Sequence, residues 1–271
     1  MKNLEIFCIC INNNLLEKVN LLNYTPVGLR YHDYSPGWVR DNSGNNISSK
    51  NKFYGEYTFH YWLWKNKLKD IDENKWIGFC SYRRFWENKE QKINPITNFK
   101  NQILDHVPEK WNNYEVILGE PMNLENVKWT KVIKYGKLAL TRNPMAIFKR
   151  GRTIRWQFDM AHGCGNMDKA INVLNKNDRE DFRRFVKNNT SYNQGNMFIC
   201  KSKKIMNNYY EAVFEWLKKC EDLFGFNLEG YGNIRIYAFL AERFLPFWFN
   251  KYTKVLEWPI MFHDLNNENI Q

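Results

Sequence analysis

Nowhere in the chain do apolar residues run unbroken for the roughly 18 positions that a membrane-spanning helix needs, so no transmembrane helix is expected. The opening MKNLEIFCICINNN turns polar too soon for a signal peptide and reads instead as a buried first strand. No CxxC pair and no Cys/His ligand cluster occurs among Cys8, Cys10, Cys80, Cys164, Cys200 and Cys220, so no cysteine-built metal site is expected. Several of these thiols lie in apolar runs, where a free cysteine acts as a small hydrophobe, and a reduced, cytoplasmic compartment fits them. The Asn-x-Ser/Thr triplets at Asn46, Asn188 and Asn189 then carry no weight as glycosylation acceptors. There is no internal repeat, low-complexity tract or Pro/Ser-rich linker, and residues 1–271 read as a single domain.

Acidic residues are also scarce, and unevenly so. Against 40 Lys and Arg stand 29 Asp and Glu, a net charge of +11. Between Lys128 and Arg155 no acid interrupts the basic residues Lys131, Lys134, Lys137, Arg142, Lys149, Arg150 and Arg152. Ordinary surfaces intersperse the two signs. An unbalanced run points to an anionic partner, whether a nucleotide diphosphate, a phospholipid surface or nucleic acid. Aromatic residues, in contrast, are abundant at 17%, enough to fill a core or to line a cleft.

The apolar runs 4–11, 75–80, 114–119 and 196–200 read as buried strands. Helices are expected over about 51–67, from Asn166 or Met167, over 178–187, 203–223 (stopping at Gly225) and 234–251. In the first, Phe53, Tyr57, Tyr61 and Trp64 fall on one face, and Ser48 or Ser49 is placed to cap its start. Strands alternating with helices predict an α/β fold with a mostly parallel central sheet and a helical C-terminal part.

Three segments carry a family resemblance. The first is Asp41-Asn-Ser-Gly-Asn-Asn-Ile-Ser48, with Lys50-Asn51, Glu56, Thr58 and Tyr61-Trp-x-Trp-Lys-Asn66 after it; the second is Ile77-Gly-Phe-Cys-Ser-Tyr-Arg-Arg-Phe85. The third joins Gly195-Asn-Met-Phe-Ile199 to Ala238-Phe-Leu-Ala-Glu-Arg-Phe-Leu245. Together they resemble a family of capsular-polysaccharide glycosyltransferases, known as a domain of unknown function. Its patterns are DNTGDNIS-x-KN, a helix ending YWxWKN, and YIGLCHYRRYF. Tyr57 stands where the family has Leu, and Ser81 where it has His. The resemblance covers most of the chain and implies a GT-A-like fold with 1–120 as the donor-nucleotide half and 121–271 as the acceptor half.

Glycosyl transfer needs a grip on the nucleotide diphosphate, compensation of its charge as it departs, and an activated acceptor hydroxyl. A metal-binding DxD usually supplies the second need, just after a buried strand. Here Asp70-Ile71-Asp72 precedes the 75–80 strand, the wrong end for a ligand of an open α/β sheet. Tyr82, Arg83 and Arg84 stand at the right end. Guanidinium groups bind phosphate oxygens in pairs and stay charged, so the arginines are expected to replace the metal. Donor contacts are also expected from Asp41, Asn46 and Asn51, from Gly195 and Asn196, whose strand is similar to one that admits the donor sugar in retaining GT-A enzymes, and from His162. The acceptor is assigned to Lys131, Lys134, Arg150, Arg152 and Arg155. Glu56, Asp159 and Glu242 are the candidates for a base.

The expected activity is hexosyl or pentosyl transfer from a nucleotide sugar, a UDP-sugar first, to a glycan or lipid-linked glycan in the cytoplasm. The basic segment is expected to give peripheral contact with the inner membrane surface. Two other readings stand beside it: modification of nucleic-acid bases, as some phage transferases perform, and a non-catalytic module that binds carbohydrate or nucleic acid.

Overall fold

The computed structural model describes residues 3–29, 33–89, 98–127, 129–130, 132 and 137–267. The first expected strand, β1 (Leu4–Cys10), is buried along nearly its whole length. Its side chains alternate between two cores. Phe7 and Ile9 enter one, while Leu4, Ile6, Cys8 and Cys10 enter the other. The same period of two places Ile77 and Phe79 of β4 (Trp76–Ser81) in the first core and Trp76 and Cys80 in the second. Both faces of the sheet are therefore covered, which explains why these strands read as continuous apolar runs.

Between them in sequence lie β2 (Thr25–Gly28) and β3 (Val39–Arg40). β5 (Arg84–Trp86), β6 (Val116–Gly119), β7 (Met122–Asn123) and β8 (Ser191–Tyr192) follow, then β9 (Phe198–Cys200), β10 (Val255–Trp258) and β11 (Ile260–Phe262). The central sheet has the order β10-β6-β9-β4-β1-β2-β3, and β5 joins β4 to β11 at one end. Pairing is parallel for β3, β2, β1 and β4 and again for β6 and β10. Along that order β9 runs backwards, antiparallel to both β4 and β6, and at the sheet's end β5 is antiparallel to β4 and β11. The sheet is thus largely parallel, with strands from both sides of residue 120 interleaved.

One core is roofed by helices. α1 (Leu16–Leu21) lies on the other face, and the roof is built from α2 (Asn51–Tyr54), α3 (Tyr57–Asn66), α4 (Ile154–His162), α5 (Asn166–Asn172), α6 (Lys176–Asn188), α7 (Lys203–Phe224) and α8 (Ile236–Tyr252). The helix expected over 51–67 is two helices. Gly55 stands at φ +54°, a left-handed conformation that ends α2 and lets α3 start in a new direction. Of its aromatic face, Tyr57 is fully buried, while Phe53, Tyr61 and Trp64 pack against the core's edge. Neither Ser48 nor Ser49 caps it; the Asn46 side chain accepts hydrogen bonds from the N–H and hydroxyl of Ser48.

α7 buries Met206, Tyr209, Tyr210, Val213, Phe214, Leu217 and Cys220 on one stripe, the spacing of an amphipathic helix. α8 is buried almost all round and lies beneath it. Trp216 of α7 joins four helices at once. Its indole N–H donates to the Ala170 carbonyl at 2.8 Å, and its ring packs on Phe182 and Phe244. Replacing Trp216 with Ala is expected to cost about 3–5 kcal/mol, read as a lower urea midpoint; a loss below 1 kcal/mol would contradict this packing.

Candidate functional site

Parallel strands bring their carboxyl ends to one edge of the sheet, where ligands of such folds collect. At that edge, beyond β1, β2 and β4, lies a cleft of about 450 Å³. Because β9 is reversed, the residues that precede it, Gly195, Asn196 and Met197, reach the same edge. Glu56, Arg83, Arg84 and Glu242 also line the cleft, with Asn51, Tyr82, Tyr231 and Arg235.

Tyr82 and Arg83 form the tip of a tight hairpin in which Ser81 of β4 pairs with Arg84 of β5. The hairpin is pinned by the Tyr82 N–H, which donates to the Ile9 carbonyl, and by the N–H groups of His263 and Leu265, which bond the carbonyls of Arg83 and Tyr82. The Arg83 guanidinium lies 5.0 Å from the centre of the Tyr82 ring. Arg84 reaches across to Gly195, where its Nη1 stands 2.9 Å from the position a Cβ would take. Gly195 has φ +96° and no side chain to block the guanidinium. Among the described residues neither arginine forms an ion pair.

The opposite wall holds carboxylates. Glu242 accepts the Gly195 N–H at 2.7 Å and pairs through its other oxygen with Arg243. Arg243 is itself buried, bonded to Gln157 and the Phe239 carbonyl and packed on the Tyr192 ring. Glu56 accepts from Asn196 at 2.7 Å and from Arg235 at 3.4 Å. Asn196 holds φ +52°, unusual for a residue with a side chain, and its buried Oδ1 has no partner among the described residues.

The other expected site residues divide. Asn51 lines the cleft, its amide bonding Thr58 and the Gly55 carbonyl. Asp41 does not; it is buried beside Thr58, behind Asn51, where burial pushes its carboxyl above the usual range. Asn46 serves the Ser48 turn, and the Asn-rich loop is clamped to the end of α3 by Asn66. That loop is a structural element outside the cleft, because short amides cap turns as readily as they bind sugars.

Asp159 lies outside as well: it accepts the Gly165 N–H at 3.0 Å and ties α4 to α5. His162 is buried against Phe239 and bonds the Gly232 carbonyl. Burial and the nearby Arg243 push its pKa down to about 3, so it is neutral near pH 7 and faces a neighbouring cavity. Arg152 is buried with its guanidinium on the carbonyls of Ala146, Glu125 and Val127, and Arg155 pairs with Asp168 at 3.3 Å. Both hold the fold, and only Arg150 of the described acceptor candidates is exposed. Lys131 and Lys134 lie outside the described residues. Asp70 and Asp72 sit before β4, at the far edge of the sheet, and among the described residues no group of three or more His, Cys, Asp or Glu side chains could hold a metal ion.

Tyr231 and Arg235 belong to the site without a signal in the sequence. They follow Gly230, whose φ is +75°. Tyr231 is 70% exposed and borders three cavities, the cleft among them.

The family described as Domain of unknown function (DUF4422) matches residues 6–254. No curated protein matches the sequence. A solved chain titled as the apo structure of the bifunctional glycosyltransferase WbbM superposes with a TM-score of 0.65 at 19% identity, over 96% of this chain and 45% of that one. The chain therefore spans less than half the length of that neighbour and shares its GT-A-like fold.

His60 resembles His162 in being buried, with its pKa likewise pushed down to about 3 by burial. Both rings stay neutral in the folded state, whereas unfolded imidazoles take up a proton below about pH 6.5. Stability is therefore complete above that value and falls as pH drops towards 3. Each histidine is expected to remove about 2 kcal/mol between pH 6.5 and 5. In urea titrations at pH 7 and 5, His162→Gln should lose less than the parent; equal losses would mean that His162 does not contribute.

Proposed function

The chain belongs to the family described as Domain of unknown function (DUF4422), and from that premise we propose that it transfers a sugar from a nucleotide-sugar donor to a glycan or lipid-linked glycan. The observation that carries this reading is Arg84, a cation without an acidic partner among the described residues, held against a bare glycine backbone at the ligand edge of the sheet. A diphosphate would supply the missing anion. A hexosyl or pentosyl group attached to it would then lie along Gly195. The GT-A-like fold supports the same assignment.

In this reaction Arg84, with Arg83 beside it, stabilises the negative charge that grows on the departing nucleotide diphosphate. Preorganised cations at a developing charge commonly contribute a factor of about 10²–10³ to turnover. Of the three candidate bases, Glu56 and Glu242 reach the cleft. Glu242 holds the Gly195 peptide and its own arginine; Glu56 is bonded to Asn196 and Arg235. The UDP moiety is the donor nucleotide we favour.

Ligand that binds only the native state raises its melting temperature by mass action. UDP and UDP-sugars are expected to do so in the absence of added metal, and hydrolysis or transfer should survive EDTA. Arg84→Ala should melt like the parent without ligand, lose the UDP shift, and drop about 10²–10³-fold in turnover, with Arg84→Lys falling between. Full turnover in Arg84→Ala would remove the arginine from the reaction, and activity lost to EDTA and restored by Mn²⁺ would replace it with a metal.

A further inference from the structure

We propose that the face carrying Met145, Ile147, Phe148, Lys149 and Arg150 docks on an anionic phospholipid bilayer. The stretch from Lys137 to Arg155 contains no Asp or Glu. Two of its arginines are spent inside the protein, Arg152 on backbone carbonyls and Arg155 on Asp168. Lys137, Arg142, Lys149 and Arg150 remain exposed.

Among these cations four large apolar side chains face solvent, Leu138 at 65% and three close together in sequence. Met145 is 60%, Ile147 53% and Phe148 63% exposed. Single exposed apolar residues are ordinary, but a cluster signals a surface that is covered. The display is built into the backbone. Pro144–Ile147 and Lys149–Gly151 form two consecutive 3-10 turns. Ala146, between Met145 and Ile147, is fully buried with Trp156 in a small core, and its carbonyl is bonded by Arg152. Ala146 thus anchors the turn inward while its neighbours project outward.

Apolar side chains ringed by Lys and Arg suit the boundary between headgroups and acyl chains, where the cations meet lipid phosphates and the apolar groups leave water. Nucleic acid would satisfy the cations but leave Met145, Ile147 and Phe148 wet. The patch also adjoins the site. Arg152 bonds the carbonyl of Val127, and Val127 lines an apolar cavity of about 740 Å³ that includes Leu124, Met160 and Tyr231. Tyr231 is shared with the donor cleft. The membrane contact itself does not depend on the transfer reaction.

Flotation of the full chain with vesicles tests this. Binding is expected with phosphatidylglycerol/phosphatidylcholine vesicles and at least tenfold weaker with phosphatidylcholine alone. Ile147→Asp/Phe148→Asp should bind the anionic vesicles at least tenfold less well while keeping its circular dichroism and its UDP-induced melting shift. Met145→Asp repeats the measurement if the double variant misfolds. Unchanged binding by these variants, equal binding to both lipids, or duplex DNA bound in place of vesicles would each overturn the proposal. Failure of the parent chain to bind anionic vesicles, with its UDP shift intact, would count against the membrane face alone, and vesicle binding by the parent with no UDP shift against the transferase reading alone.

Discussion

The whole site hangs on one peptide group, the Gly195 N–H held by the Glu242 carboxylate. Gly195 and Asn196 both occupy positive φ, and for Asn196 that conformation costs on the order of 1 kcal/mol or more. Such a turn persists only where its surroundings overdetermine it. Here three bonds do so, each to a different element: Gly195 to Glu242 of α8, Asn196 to Glu56 ahead of α3, and Asn193 to the Gly119 carbonyl of β6. The reversed direction of β9 delivers this turn to the ligand edge. The absent side chain of Gly195 then leaves the room that Arg84 fills.

Comparison among the arginines shows why Arg84 stands apart. Burying a guanidinium is expensive unless its donors are satisfied. Arg243 meets most of this with Glu242, Gln157 and a backbone carbonyl, and Arg152 with three carbonyls, leaving one nitrogen of each without a partner among the described residues. Both are structural cations whose compensation is internal. Arg84 is half-buried at the cleft wall and lacks an acidic partner among the described residues, and the proposed function gives it the donor's diphosphate as counter-charge. On that proposal, position at the cleft wall, more than residue type, separates Arg84 from the structural arginines.

That distinction also sets what was legible beforehand. The buried strands at 4–11 and 75–80 were readable because both faces are covered and the apolar run is unbroken. Arg83 and Arg84 were readable because a polar pair directly after such a strand must emerge at the ligand edge. Asp159, His162, Arg152 and Arg155 were not separable from site residues by type, since their roles depend on carbonyls and rings far away in sequence. The break at Gly55 was hidden by helical spacing that continues through it. Arg235 and Tyr231 had no motif at all. They enter the cleft because α8 crosses beneath α2, a tertiary relation that no local pattern encodes. For the same reason a division at residue 120 does not separate the cleft, which takes Glu56 and Arg84 from one side and Gly195, Arg235 and Glu242 from the other.

Tyr231 draws the proposed functions into one geometry. Its ring borders the donor cleft, the apolar cavity and a third hollow beside Asn51, and Arg235 bonds its hydroxyl at 3.4 Å. Arg235 in turn bonds Glu56, which holds Asn196. A group entering the apolar cavity would therefore press on a side chain linked, through three polar contacts, to the Gly195–Asn196 turn proposed to receive the donor sugar. The cavity's wall continues through Val127 to the segment pinned by Arg152. An acceptor carried by a lipid, arriving from the proposed membrane face, would meet the apolar wall first and the sugar-bearing cleft second. That order suits a transferase whose acceptor is apolar at one end and hydroxylated at the other.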